Sequence, residues 1–173
     1  GGISKINITS RIGEESDKTG STTTISANIG QAKGTVDIDS NTTNNVKTYL
    51  SDNVEGLVAI AKGSAKNILN SQNNINITGA IIDIDGNLAI DASNLNNVAM
   101  TRSSDTNGFI AIKGGTLENT INSEANIDIQ DSTLKANIVE ITSKAKFASL
   151  ETIQYDESAG GFITSPGEKI DNK

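Results

Sequence analysis

The chain has 173 residues, with 14 basic side chains against 21 acidic ones and a net charge of −7. It holds no Cys and no His, which excludes disulfides, thiolate metal sites and the commonest transition-metal ligand. An acidic chain without a basic patch also makes a poor nucleic-acid binder, because attraction to phosphate supplies most non-specific affinity.

Its length suits one domain, and residues 1–173 are read as a single unit. Aromatic residues make up only 3%. Large aromatics bury the most area each, so their scarcity predicts a narrow core stacked from Ile, Val, Leu and Ala. The regular placing of Ile pairs argues against disorder. No leader-like stretch and no apolar run near about 18 residues occurs, so no membrane-spanning helix is expected. Gly1-Gly2 reads as a cut within a longer protein or as a tag scar.

The first segment, "GGISKINI", begins straight in strand pattern. A polar stretch from Arg11 to Gly20 follows and is expected to be a loop. "STTT" (21–24) is next; ice-binding Thr ranks need Thr in every turn, but Asn73, Asn74, Ile75 and Asn76 stand 52 residues later. The sequence then repeats. "DIDSNTTNNV" (37–46) aligns with "AIDASNLNNV" (89–98) at the same offset of 52, and "GLVAIAKGSAKNILNSQNNINI" (56–77) aligns with "GFIAIKGGTLENTINSEANIDI" (108–129). Upstream, Ile8, Ile25 and Ile29 match Ile60, Ile77 and Ile81. After Ile129 the offset shifts: Val139 and Ile141 match Leu88 and Ile90 at 51, and Phe162-Ile163 match Phe109-Ile110 at 53. Such slips are tolerated in surface turns.

Within the middle copy the apolar punctuations are Leu57–Ile60, Ile68-Leu69, Ile75–Ile77, Ile82–Ile84, Leu88–Ile90 and Val98–Met100. Thr101–Asn107 reads as the second long polar loop. Strands so short, without Asn-Gly turns between them, are expected to pair with their equivalents in the next turn of a solenoid. The expected fold is all-β, a right-handed parallel β-helix. With three strands per turn, about 26 residues make a coil, the 52-residue unit spans two coils, and the chain makes about six or seven. A left-handed helix would need a strict hexapeptide period, and a sandwich leaves the repeat unexplained. The expected inward residues are Ile60, Ile75, Ile77, Ile82, Ile84, Leu88, Ile90, Val98, Ile110, Ile112, Ile127, Ile129 and Ile141. The pairs Asn44/Asn96, Asn45/Asn97, Asn67/Asn119, Asn70/Asn122 and Asn74/Asn126 are expected to stack as hydrogen-bonded ladders at turns, where Asn tolerates left-handed backbone.

Chemistry is sparse. "IDIDGN", with Asp83 and Asp85 and their echo in Asp37 and Asp39, begins like a calcium loop but lacks the Glu at its twelfth position. Alternating Asp facing water and Ile facing the core is what strand geometry gives. Two carboxylates on one face also suit a glycosidase. Yet Arg11 and Arg102 are the only arginines, and neither lies in an aromatic group that would hold sugar. The sequons at Asn7 and Asn76 are what chance gives in an Asn- and Thr-rich chain. No catalytic, cofactor-binding or metal-binding residue is expected.

Repeats such as "NINITGAIIDIDGNLAIDA" and "ANIDIQDSTLKANIVEITSKA", over roughly residues 3–164, resemble the shafts of large secreted bacterial exoproteins. Filamentous haemagglutinins, autotransporter adhesins and leukotoxin-type filamentous adhesins are of this kind. The resemblance implies a β-helical segment of a secreted or surface-anchored adhesin or cytotoxin, exported through an outer-membrane transporter. It implies attachment to or damage of host cells through a surface protein or glycan. It carries over no site residue, and nothing here matches a two-partner-secretion recognition domain. Neither end is a convincing cap, since "GGISKINI" begins in strand pattern and "SPGEKIDNK" is a short polar tail, so the ends are expected to be frayed or buried by neighbouring copies in end-to-end self-association. The alternative is a β-helical carbohydrate-active enzyme or phage-fibre-type depolymerase, whose cleft would need long inter-strand insertions.

Overall fold

The computed structural model describes residues 1–158, 163–165 and 168–173. Every regular element among them is a strand: β1 (Gly2–Ser4), β2 (Asn7–Ile12), β3 (Thr22–Ile25), β4 (Asn28–Ala32), β5 (Val36–Glu55), β6 (Val58–Ala61), β7 (Ser64–Thr78), β8 (Ile81–Ile84), β9 (Asn87–Asn107), β10 (Ile110–Lys113), β11 (Gly115–Gln130), β12 (Thr133–Lys135), β13 (Ile138–Ser158), β14 (Ile163–Ser165) and β15 (Glu168–Asn172).

All pairing is parallel and falls into four sheets. A first edge sheet runs β1-β6-β10-β14, and a first broad sheet runs β15-β11-β7-β2 with β3 also on β7. A second edge sheet runs β12-β8-β4, and a second broad sheet runs β13-β9-β5. The chain visits them in that order and then returns to the first. Ile127 pairs with Ile75, Ile129 with Ile77, and Val98 with Val46. Each partner therefore lies 52 residues away.

This register corrects the expected coil. One circuit takes 52 residues rather than about 26, so the sheets are three or four strands deep along the stack rather than six or seven. At the strand spacing of about 4.8 Å, the stack is roughly 15 Å tall. The cause lies in the strands. Strand β9 runs for 21 residues, and its inward positions are Leu88, Ile90, Ala92, Asn94, Asn96, Val98, Met100, Arg102, Ser104 and Thr106. Alternation continues unbroken through polar residues. The apolar stretches Leu88–Ile90 and Val98–Met100 are two parts of this one strand, and Thr101–Asn107, expected as a loop, is its end.

The two broad sheets face each other, and the interior changes character across the section. At the second edge, Ile75, Ile77, Ile82, Ile84, Leu88 and Ile90 form an aliphatic cluster, with Ile127 and Ile129 packed against it. Polar side chains fill the middle. Leu50, Ala65, Met100 and Leu117 follow, and Val54, Ala59 and Ala61 close the first edge.

Seven of the expected inward residues are buried: Ile75, Ile77, Ile82, Ile84, Leu88, Ile90 and Val98. Ile60, Ile110 and Ile112 are corrections. Here the alanines face in, since Ala59, Ala61 and Ala111 are buried and the isoleucines alternate outward. The first edge is too tight for larger residues. Gly63 and Gly115 turn the chain from it into the first broad sheet, and a Cβ on Gly115 would collide with the Gly63 carbonyl oxygen. Ile141 pairs with Ile90 as the offset of 51 implies, but it is 51% exposed because β13 is covered by β9 on one side only. Ile163 pairs with Ile110, as the offset of 53 implies; Phe162 lies outside the described residues. Upstream, Ile25 pairs with Ile77, whereas Ile8 pairs with Ala65 and Ile29 with Ile82.

Candidate interaction surface

The polar interior sets how rigidly the outer faces are held. Asn44 donates from Nδ2 to Asn96 Oδ1 at 2.9 Å and to Ser71 Oγ at 3.0 Å on the opposite sheet. Asn67 donates to Asn119 Oδ1 at 2.9 Å and to the Ala99 carbonyl at 3.1 Å. Asn73 bonds across to the Ser40 carbonyl at 3.1 Å. Four of the stacked Asn pairs are thus bonded, one circuit apart, whereas Asn70, in register with Asn122, donates to the Gly13 carbonyl instead. Asn44/Asn96 and Asn67/Asn119 lie inside the section, not at turns. Asp131 is the sole non-Gly residue with positive φ among the described residues. Side-chain amides suit these sites because each carries donors and an acceptor, so one residue bonds both along the stack and across it.

Arg102 is wholly buried, with its guanidinium 3.0 Å from the equally buried Asp52 carboxylate and donating to the Gly114 carbonyl at 3.1 Å. Asp52 also accepts the Gly63 N–H at 3.1 Å. This ion pair ties β5, β9 and the Gly63 and Gly114 turns together. It is a structural element, and a lone arginine in the sequence gave no sign of it. Arg11 lies outside and pairs with Glu14 at 2.5 Å.

The carboxylates raised as candidate sites serve the stack. Asp83 pairs with Lys135 at 3.3 Å on the neighbouring strand. Asp85 accepts the Gly34 N–H at 2.8 Å and braces two turns against each other. Asp37 and Asp39 face solvent on β5, with Asp91 in register beside Asp39. Among the described residues, no three His, Cys, Asp or Glu side chains form a group that could hold a metal ion. Thr22 and Thr24 point outward, in register with Asn74 and Asn76. Of the expected loops, only the first is one: after β2 the chain leaves the sheet at Gly13 and rejoins at Thr19, which bridges to Ser71.

The outer face of the second broad sheet carries rows of polar side chains in register. Asn97 donates to Asn45 Oδ1 at 2.9 Å, and Ser149 donates to Asn97 Oδ1 at 3.2 Å. Ser93 donates to Asn41 Oδ1 at 2.7 Å in the next row. Asp37, Asp39 and Asp91 lie at one end of the same face. On the first broad sheet, Asn126 donates to Asn74 Oδ1 at 3.2 Å. A shallow depression of about 200 Å³ lies there between Thr9, Lys66 and Glu118, with Lys66 and Glu118 paired at 3.2 Å across it. Asn7, of the first sequon, lines it too. The arrangement can present rows of amides, hydroxyls and carboxylates at the strand spacing. No family model, curated protein or solved structure matches the chain.

Proposed function

We propose that the chain is a right-handed parallel β-helix segment of a secreted or surface-anchored bacterial adhesin or cytotoxin, and that its outward acidic-amide face contacts host cells. The hand follows from the general rule for parallel crossovers. The observation that carries the contact role is the Asn45–Asn97–Ser149 row, where each side chain is held by its neighbour in the next circuit. A surface fixed in this way loses little side-chain entropy on binding. Its repetition at every circuit suits an extended glycan or protein surface met weakly at many points, with strength gained from copy number. Export through an outer-membrane transporter and end-to-end contact between copies belong to the same reading. It assigns no catalytic role to Asp83 or Asp85, both already engaged within the fold.

The test is retention on host cells of beads carrying one or many copies of the chain. Retention should rise steeply with copy number and fall for Asn45→Thr/Asn97→Thr, which removes the amide row but keeps outward, strand-favouring side chains, so that the melt stays within a few degrees. Nanomolar binding of the monomer through a single concave pocket, or indifference to the double variant, contradicts the reading.

A further inference from the structure

Among the described residues, the first edge sheet presents an uncharged aliphatic surface on the side of the stack. Its outward residues are Ile3, Ile60 and Ile112 in one row and Val58 and Ile110 in the next. Leu57 and Phe109 stack at the turn that leads into them, through the bond from the Ile110 N–H to the Leu57 carbonyl at 3.0 Å. Ile3, Leu57 and Phe109 are 75%, 74% and 54% exposed. None of these side chains is charged, although the chain carries −7 overall. The alternation explains the pattern: the small alanines are taken by the tight interior, which leaves the large aliphatics outside. A contiguous apolar patch of this kind marks a contact site.

Its borders are charged in opposite senses. Exposed Glu55 precedes the strand in the middle circuit, and exposed Lys62 follows it. We propose that this edge pairs with the same edge of a second copy, the two stacks lying side by side and parallel about a two-fold axis along the stacking direction. That operation reverses the strand direction in the facing edge. It sets the Ile60 row of one copy on the Val58 row of the other, and brings Glu55 of each opposite Lys62 of its partner at the same level. An isologous contact closes in this way at two copies. The uncharged stripe is where two acidic molecules meet without facing like charges, and the complementary borders fix their orientation. A glycan finds no hydrogen-bonding side chain among Ile3, Val58, Ile60, Ile110 and Ile112, and an anionic bilayer repels so acidic a chain. The edge offers seven side chains, Ile3, Leu57, Val58, Ile60, Phe109, Ile110 and Ile112, where a standard interface takes about 20–30 residues a side, so a weak, micromolar association is expected.

Sedimentation equilibrium across a series from low micromolar to low millimolar tests this. The native chain should move from the monomer mass toward twice that mass. Ile60→Lys/Ile112→Lys should stay monomeric with an unchanged circular dichroism spectrum and melt. Glu55→Lys, which sets Lys against Lys62, should weaken association by about tenfold. Glu55→Lys/Lys62→Glu should restore it, and this pair reports even if the isoleucine variant misfolds. A native chain monomeric throughout overturns the proposal, as does a dimer indifferent to the edge variants or a charge swap that fails to restore pairing. Binding of a strictly monomeric native chain to phosphatidylcholine vesicles, lost in Ile60→Lys/Ile112→Lys, would assign the edge to lipid and overturn it equally.

Discussion

Asn67 holds two circuits and two sheets together with one amide, bonding Asn119 along the stack and Ala99 across it. Such bonds add about 0.5–1.5 kcal/mol each, but leaving a buried partner unsatisfied costs more. The same asymmetry is sharper at Asp52. Replacing it with Ala strands the buried Arg102 guanidinium, so Asp52→Ala should lose about 3–5 kcal/mol in urea unfolding. The exterior behaves differently. The hydrogen bond from Lys66, and next that from Thr120, hold the Glu118 carboxyl below its ordinary range. A lowered folded-state value means that Glu118 supports folding above the ordinary glutamate value of about 4.3 and loses that support as pH falls through the folded value. Lys66→Met should move the Glu118 titration, followed by carboxyl NMR, upward toward the ordinary value. Screening by solvent keeps the effect on stability small. Of these residues the sequence showed only the stacking partners, because a 52-residue repeat puts Asn67 on Asn119 whatever the coil. That Asn67 faces inward was hidden by the assumption that interiors are apolar.

The strands test the packing directly. Ile77 is buried between Ile25 and Ile129, in register with both. Ile77→Ala should therefore cost about 2–5 kcal/mol. Ile60→Ala, on the outer face of β6, should cost less than about 1 kcal/mol. Equal losses at the two sites would mean that the edge strand faces the other way. In β13, Phe147 pairs with Asn96 and Ser149 with Asn97, so Ala148 is an extra residue that bulges out of the ladder. It makes good the one residue by which the earlier part of β13 is short. Deleting Ala148 should keep Phe147 and Leu150 on the inward face and leave the melting temperature within a few degrees. The 51 and 53 offsets were legible as numbers, since hydrophobic matches survive a slip. The length of the strands was not, because Asn94, Asn96, Ser104 and Thr106 carry the alternation in a polar alphabet.

At the scale of the molecule, the parallel all-β architecture follows from the repeat, while the size of a turn does not. A repeat of 52 residues is compatible with one turn or with two. The sequence offered equal apolar spacing as the only guide, and the polar interior made that guide misleading. The consequence for function is geometric. A 52-residue circuit gives two wide flat faces and two narrow edges, so polar rows and an aliphatic edge are separated on different sides of one stack. The candidate contact face was legible as an acidic and amide-rich exterior. The aliphatic edge was not, because Ile60 and Ile112 read as core.

Engineered disulfides test the 52-residue turn most directly, because the chain has no cysteine of its own. In-register neighbours on adjacent parallel strands lie about 4.8 Å apart, within the Cα range that a disulfide spans. Asn45→Cys/Asn97→Cys, outward and paired in the second broad sheet, should oxidise in the folded state and raise the melting temperature. Asn45→Cys/Ser71→Cys, the pair that a half-sized turn would stack, should stay reduced until the chain unfolds. Rapid closure of the second pair and not the first would mean a turn of about 26 residues and rule out the 52-residue circuit.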